Sequence, residues 1–392
     1  MKYNFDEFID RRGTSAVKLE AMKEIWGRDD LLPLWVADMD FATAPFVTEA
    51  IRRRCDNPVL GYTSKPDSYY QAIIRWAKSR YDLEVETEMI NFVPGIVPGL
   101  GMALNAFTEK GDKVMIQPPV YMPFSWLTTR NERELVINPL KWENGLMRMD
   151  MEGFRKQVKG CKVFILCNPH NPGGVVWKEE ELREVAEICH REGVLIFSDE
   201  IHADLTLPPL KHRPFATISE EARMNSVTFM SPSKAFNMPG LTASHALIFN
   251  AKLRRKFRKY IDACELDLGH VFAFLAVEAA YSHGTEWLEQ CLAYVQGNID
   301  YVDDFLKTHA PRLKVVRPQA SFLVWLDCRD MDLNQEELNR FFVEKARLAL
   351  NDGATFGEGG TGFMRLNVAA PRCVMEQAMR QLAEAYEDFQ VE

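Results

Sequence analysis

Six short apolar runs, separated by polar and amphipathic stretches, constrain this chain more than any other feature. DKVMIQ (112–117), ELVIN (134–138), KVFILCN (162–168), VLIFSD (194–199), SVTFM (226–230) and SHALIF (244–249) read as strands. Most are near-continuously apolar rather than alternating, the pattern of strands buried on both faces. Between two of them lies KEEELREVAEICHREG (178–193), with apolar residues at 182, 185, 186 and 189 in helical spacing and Gly193 placed to cap it. Strand–helix–strand alternation predicts an α/β fold with a mostly parallel sheet.

The last third changes character. Residues 285–309 read as a long helix leaving the first unit, followed by strands at 321–327 and 362–369 and helical stretches at 334–346 and 372–388. This predicts a smaller α+β domain. The first 45 or so residues are too polar and turn-rich to stand alone and are expected to pack on it. The expected organisation is therefore a large domain over 46–284 and a small one from 1–45 and 285–392. A chain of 392 residues, 47% hydrophobic and 26% charged, supports two such units. A net charge of −9 argues against nucleic acid or an anionic membrane as partner, and no uncharged run approaches the roughly 18 residues of a membrane span. The opening MKYNFDEFIDRRG lacks the apolar centre of a signal peptide and contains acids, unlike a transit peptide. Eight scattered cysteines without a CxxC pair read as free thiols in a reducing cytoplasm, and no metal site is expected.

Open parallel sheets bind ligands at the carboxyl ends of their strands. Asn168, His170 and Asn171 follow one expected strand, Asp199, Glu200 and His202 the next, and Ser231, Ser233 and Lys234 a third. Each group has a plainer reading: a loop turn for NPHNPGG, a helix cap for Asp199, a surface turn for SPSK. Three adjacent strand ends, however, share one rim. Together they deliver an amine, a carboxylate, carboxamides and hydroxyls to it. In PGIVPGLGMALNAF (94–107), Gly95, Ile96 and Val97 present backbone N–H groups at an expected helix start, where an anion is favoured, and Pro98 suits the first turn. Dinucleotide binding is disfavoured: Gly99 and Gly101 have no third glycine completing G-x-G-x-x-G after a strand.

NPHNPGG, SDEIH and SPSKAFNMPG, in that order, resemble the fold-type I pyridoxal-phosphate (PLP) enzymes of the class I/II aminotransferase group, and the resemblance covers nearly the whole chain. LPLWVADMDF (32–41), LGYTSKPDSYYQAI (60–73) and LNDGATFGEGGTGFMRLNVAAP (350–371) resemble more narrowly its cystathionine β-lyase, or C–S lyase, branch. The resemblance implies PLP as cofactor, bound to Lys234 as a Schiff base, with Lys234 also shuttling the Cα proton. Asp199 then pairs with the pyridine nitrogen, Asn171 and His202 with the phenolic oxygen, and Tyr121 stacks on the ring. Gly95, Ile96, Val97, Ser231 and Ser233 hold the phosphate. Arg365, with Ala37 in the WVADMDF segment, binds the substrate, Arg365 through its α-carboxylate. Tyr62 reaches the phosphate of a neighbouring subunit, which implies a homodimer with shared sites. Two positions depart from many relatives: Thr242 stands where they carry a phosphate-binding Arg, and His202 where aminotransferases carry Tyr.

The readings left open are a carbon–sulfur β-lyase acting on L-cystathionine, an aminotransferase of amino acids on the same scaffold, and a regulatory protein keeping PLP as a structural ligand. Retention of Lys234, Asp199 and Arg365 together speaks against the last, which needs no proton shuttle.

Overall fold

The computed structural model describes residues 2–391; Met1 and Glu392, the outer ends of the expected small domain, lie outside them. All six apolar runs are strands of one seven-stranded sheet. Its order is Ile90–Val93, Ser244–Leu247, Ser226–Met230, Leu195–Asp199, Cys161–Cys167, Lys113–Ile116, Glu134–Ile137. Ser244–Leu247 runs antiparallel to both its neighbours, and the strands from Ser226–Met230 to Glu134–Ile137 are mutually parallel. Every residue of Leu195–Asp199 and Ser226–Met230 is buried, whereas the edge strand Glu134–Ile137 is half-exposed. Burial on both faces is why these runs lack alternation.

The helix Glu179–Glu192 buries Leu182, Val185, Ala186, Ile188 and Cys189, and Gly193 closes it at φ 69°. Thr285–His309 buries one stripe from Trp287 through Cys291, Val295 and Ile299 to Leu306, and packs along the helix Arg372–Val391. Beside these helices an antiparallel sheet runs Lys314–Val316, Leu323–Asp327, Phe363–Asn367, Asn351–Asp352. In the N-terminal segment, Leu32–Pro33 pairs in parallel with Leu348–Ala349.

Two features depart from the sequence reading. Ile90–Val93 is a strand, hidden in the sequence because its short run, apolar but for Asn91, continues through Pro94 and Gly95 into the apolar helix Ile96–Phe107. Lys141–Glu143 and Leu146–Arg148 form a hairpin about Asn144 and Gly145, both at positive φ (50° and 76°). Asn-Gly is a strong short hairpin signal between alternating apolar residues; here Lys141, Glu143 and Arg148 flank it and mask the alternation. Among the described residues no helix is long and apolar enough to cross a membrane.

Candidate active site

Three parallel strands end side by side and set the expected residues together. Cys167 pairs in register with Asp199, and Asp199 with Phe229, so the segments following each strand leave from one edge. The chain after Asp199 turns at once: Ile201 N–H donates to Asp199 Oδ1 (3.1 Å) and Ala203 N–H to Glu200 O (3.0 Å). Asp199 is buried, and among the described residues it has no ion-pair partner. Burial pushes its carboxyl up to about 7, since an unpaired buried charge is costly.

Lys234 follows the third strand. Its amine donates to the carbonyl of Ala37 (2.5 Å). Burial, and then the positive field of Arg365, lower it to about 8. Arg365 comes from the smaller sheet, in the strand Phe363–Asn367, and is buried. One terminal nitrogen donates to Asn171 Oδ1 (3.1 Å); the other donates to Trp35 O (3.0 Å) and Asn351 Oδ1 (2.6 Å). Its Nε–H has no partner, and burial lowers its pKa to about 10. The guanidinium therefore meets neutral acceptors only and keeps a donor free for an anion. Asn171 is buried; its own carbonyl accepts from Tyr121 N–H (3.1 Å), which ties Tyr121 to the same rim. Burial raises the Tyr121 phenol, opposed by Arg365.

His202 is buried, with Nδ1 unpartnered, and burial holds its ring down at about 3, so it is a neutral donor or acceptor. Ser231 Oγ lies 2.7 Å from Ala243 O and 2.9 Å from Ser233 Oγ and accepts from Ser233 N–H. With one hydroxyl proton to give, Ser231 orders the turn, and Ser233 is the freer hydroxyl. Gly95 caps the helix Ile96–Phe107 at φ 121°, a conformation side-chain-bearing residues rarely adopt. Thr242 is exposed, and its hydroxyl lies 3.4 Å from His270 Nε2. Tyr62 is fully exposed, with Val59 and Leu60 exposed beside it.

The sequence reading missed Asn351, the acceptor that orients Arg365, and Asn237 and Asn367, which lie three and two residues beyond Lys234 and Arg365. Glu200, placed on the rim by the sequence but given no role, accepts from Ser198 Oγ (2.8 Å), from Phe215 N–H (2.8 Å) and pairs with His212 Nε2 (2.7 Å). Glu200 thereby anchors the turn that carries Asp199 and His202. No sequence signal singles out the asparagines; Glu200 at least stood beside Asp199 on a strand end.

Residues 29–385 match the model of the aminotransferase class I and II family, and the chain belongs to it. It is 40% identical over 384 residues to cystathionine beta-lyase PatB of Bacillus subtilis, covering 97% of this chain and 99% of that protein. Among solved structures, it resembles a PLP-bound putative aminotransferase from Clostridium difficile, at 39% identity and TM-score 0.96 over 98% of this chain and all of that one. It also resembles a PLP-bound C–S lyase from Staphylococcus hominis, at 34% identity and TM-score 0.91 over 98% of both chains.

Proposed function

We propose that the chain is a PLP-dependent carbon–sulfur β-lyase that cleaves L-cystathionine, and related β-thio amino acids, to a thiol, pyruvate and ammonia. The observation that carries this reading is the meeting, at one buried edge, of Lys234, the Asp199 carboxyl, which among the described residues is held in no ion pair, and the incompletely bonded guanidinium of Arg365. These residues fit PLP. A protonated pyridine nitrogen is the cation that Asp199 lacks. Lys234 would hold the aldehyde carbon, Asn171 and His202 the phenolic oxygen, and Tyr121 the ring face. Gly95, Ile96, Val97 and Ser233 would hold the phosphate, with Ser231 ordering the turn that carries Ser233, helped by the partial positive charge of the helix start.

When bound, PLP supplies an electron sink for the pair left as a proton departs from Cα. Arg365 holds the α-carboxylate by its charge and its free Nε–H and so presents Cα–H to Lys234. Lys234, with its proton affinity lowered to about 8, takes that proton at Nζ. The Cβ–S bond breaks with its pair leaving on sulfur, and the proton on Nζ is available to the departing thiolate. Hydrolysis of the remaining three-carbon fragment completes the balance: cystathionine plus water gives homocysteine, pyruvate and ammonia. Homocysteine is one methyl transfer from methionine, which places the enzyme in methionine biosynthesis. The PatB relative, named a cystathionine beta-lyase, supports the substrate. The resemblance to a structure described as a putative aminotransferase favours a second reading, transamination.

Purified enzyme given L-cystathionine without any keto acid is expected to release pyruvate and free thiol in equal amounts, and to leave alanine untouched by elimination. Strict dependence on 2-oxoglutarate or pyruvate, with no thiol released, would replace this reading with transamination.

The enzyme acts as a cytoplasmic homodimer. The exposed Val59, Leu60, Tyr62 and Leu268 form apolar surface that a second copy covers, and the eight free cysteines suit a reducing compartment. In that assembly Tyr62 serves the partner's phosphate site. Lys234→Ala and Tyr62→Ala subunits, unfolded and refolded together in equal amounts, should regain about a quarter of wild-type activity, because half the dimers carry one intact site. No regain, or a monomer by sedimentation at assay concentration, would refute the shared site.

A further inference from the structure

Residues 35–41 form a strap without regular secondary structure that crosses the site. A segment with no ladder must satisfy its buried carbonyls some other way. Here side chains do so almost one by one. Trp35 O accepts from Arg365 (3.0 Å), Val36 O from Asn367 Nδ2 (2.7 Å) and Ala37 O from Lys234 Nζ (2.5 Å). Asp38 O accepts from Asn367 Nδ2 (2.7 Å) and Lys18 Nζ (3.2 Å). Met39 O and Phe41 O accept from Asn237 Nδ2 (3.0 and 2.7 Å), and Met39 N–H donates to Asn237 Oδ1 (3.0 Å).

The two asparagines occupy matching places. Asn367 lies two residues beyond Arg365 in one strand, hence on the same face. Asn237 lies three residues beyond Lys234, in the left-handed conformation (φ 52°) that Asn tolerates. Both carboxamide N–H groups of each are used on the strap, and Asn367 Oδ1 accepts from Ala369 N–H (2.8 Å). With both carboxamides so engaged, the two asparagines tie the strap to the segments that carry Lys234 and Arg365. Lys234 follows a strand of the large sheet and Arg365 lies in the smaller sheet, and the strap is bonded to both.

We propose that Asn237 and Asn367 are positioning residues that fix, through this strap, the placement of Lys234 relative to Arg365. The proposal rests on reading those two as the base and the carboxylate anchor. Because both asparagines act through one segment, freeing either end releases it, and loss of the second then has little left to undo.

A double-mutant cycle on the holoenzyme tests this. Asn237→Ala and Asn367→Ala are each expected to lower kcat/KM about 10- to 100-fold, from the loss of two or three hydrogen bonds. The double variant should stay within about threefold of the weaker single. Hydrogen exchange at the strap amides, including Met39 and Asp40, should quicken at least ~10-fold in both singles. If an alanine variant does not fold, the Asn→Ser pair, which keeps one donor, carries the same cycle. Losses that multiply, or strap amides that exchange as in wild type, overturn the proposal. Failure of the underlying site reading is separately visible as turnover persisting in Lys234→Ala.

Discussion

Lys234→Ala is expected to lose the visible absorption of the lysine-bound cofactor and to lower kcat by about 10⁴-fold or more. Two functions disappear with one amine. The covalent anchor is lost, and so is the general base, a role that alone contributes about 10²–10⁴-fold. No neighbour can substitute: Arg365 remains a cation at any working pH, with its pKa only lowered to about 10, and His202 is buried with its ring held down at about 3, too weak a base to retain a proton at neutral pH. The check is borohydride reduction followed by peptide mass mapping. Wild type should carry a phosphopyridoxyl group on Lys234 and the variant none. A label elsewhere on an active variant would remove Lys234 from its assigned role.

The second large effect is expected from Asp199→Asn. The substitution keeps shape and Oδ1, hence the bond from Ile201 N–H, and removes only the charge. A charge-assisted hydrogen bond is worth about 1.5–3 kcal/mol, or roughly 10- to 150-fold. That is the expected loss in PLP affinity. The fall in kcat should be larger still, because charge on the ring builds up most in the transition state. A near-normal kcat would sink the assignment. The same change should act oppositely on the apo-protein. Burial raises the Asp199 carboxyl to about 7 in the folded state, well above its unfolded value. The folded state therefore binds that proton more tightly, and stability declines as pH rises between the two pKa values. Apo Asp199→Asn should melt above apo wild type at pH 8, with the gap closing toward pH 4. Equal melting at both pH values would mean that the buried charge costs nothing.

Much of the site was legible before folding because its chemistry sits at strand ends. An apolar run followed by Asn, Asp or Ser-x-Ser-Lys is a local pattern, and a parallel sheet brings such ends to one edge whatever the details of packing. Lys234, Asp199 and Asn171 were found this way, and Gly95–Val97 by its helix start. Arg365 was legible for another reason: the resemblance of the segment around it, GFMRLNVAAP, to the C–S lyase branch.

What the sequence by itself determined is thus periodicity and punctuation: which runs are buried on both faces, where helices stop, which polar groups sit on strand ends. It did not mark Ile90–Val93, whose apolarity flows into the next helix, because periodicity cannot divide two buried elements. Only the tertiary structure decided that carbonyls of residues 35–41 are met by Lys234, Asn237, Arg365 and Asn367, between 196 and 331 residues away along the chain. A hydrogen bond to a backbone carbonyl asks only for a donor at the right place, so nothing in the local sequence of either partner records it. The same holds for the proton affinities of Lys234 and Asp199, which are set by the depth and neighbours that the closed fold provides.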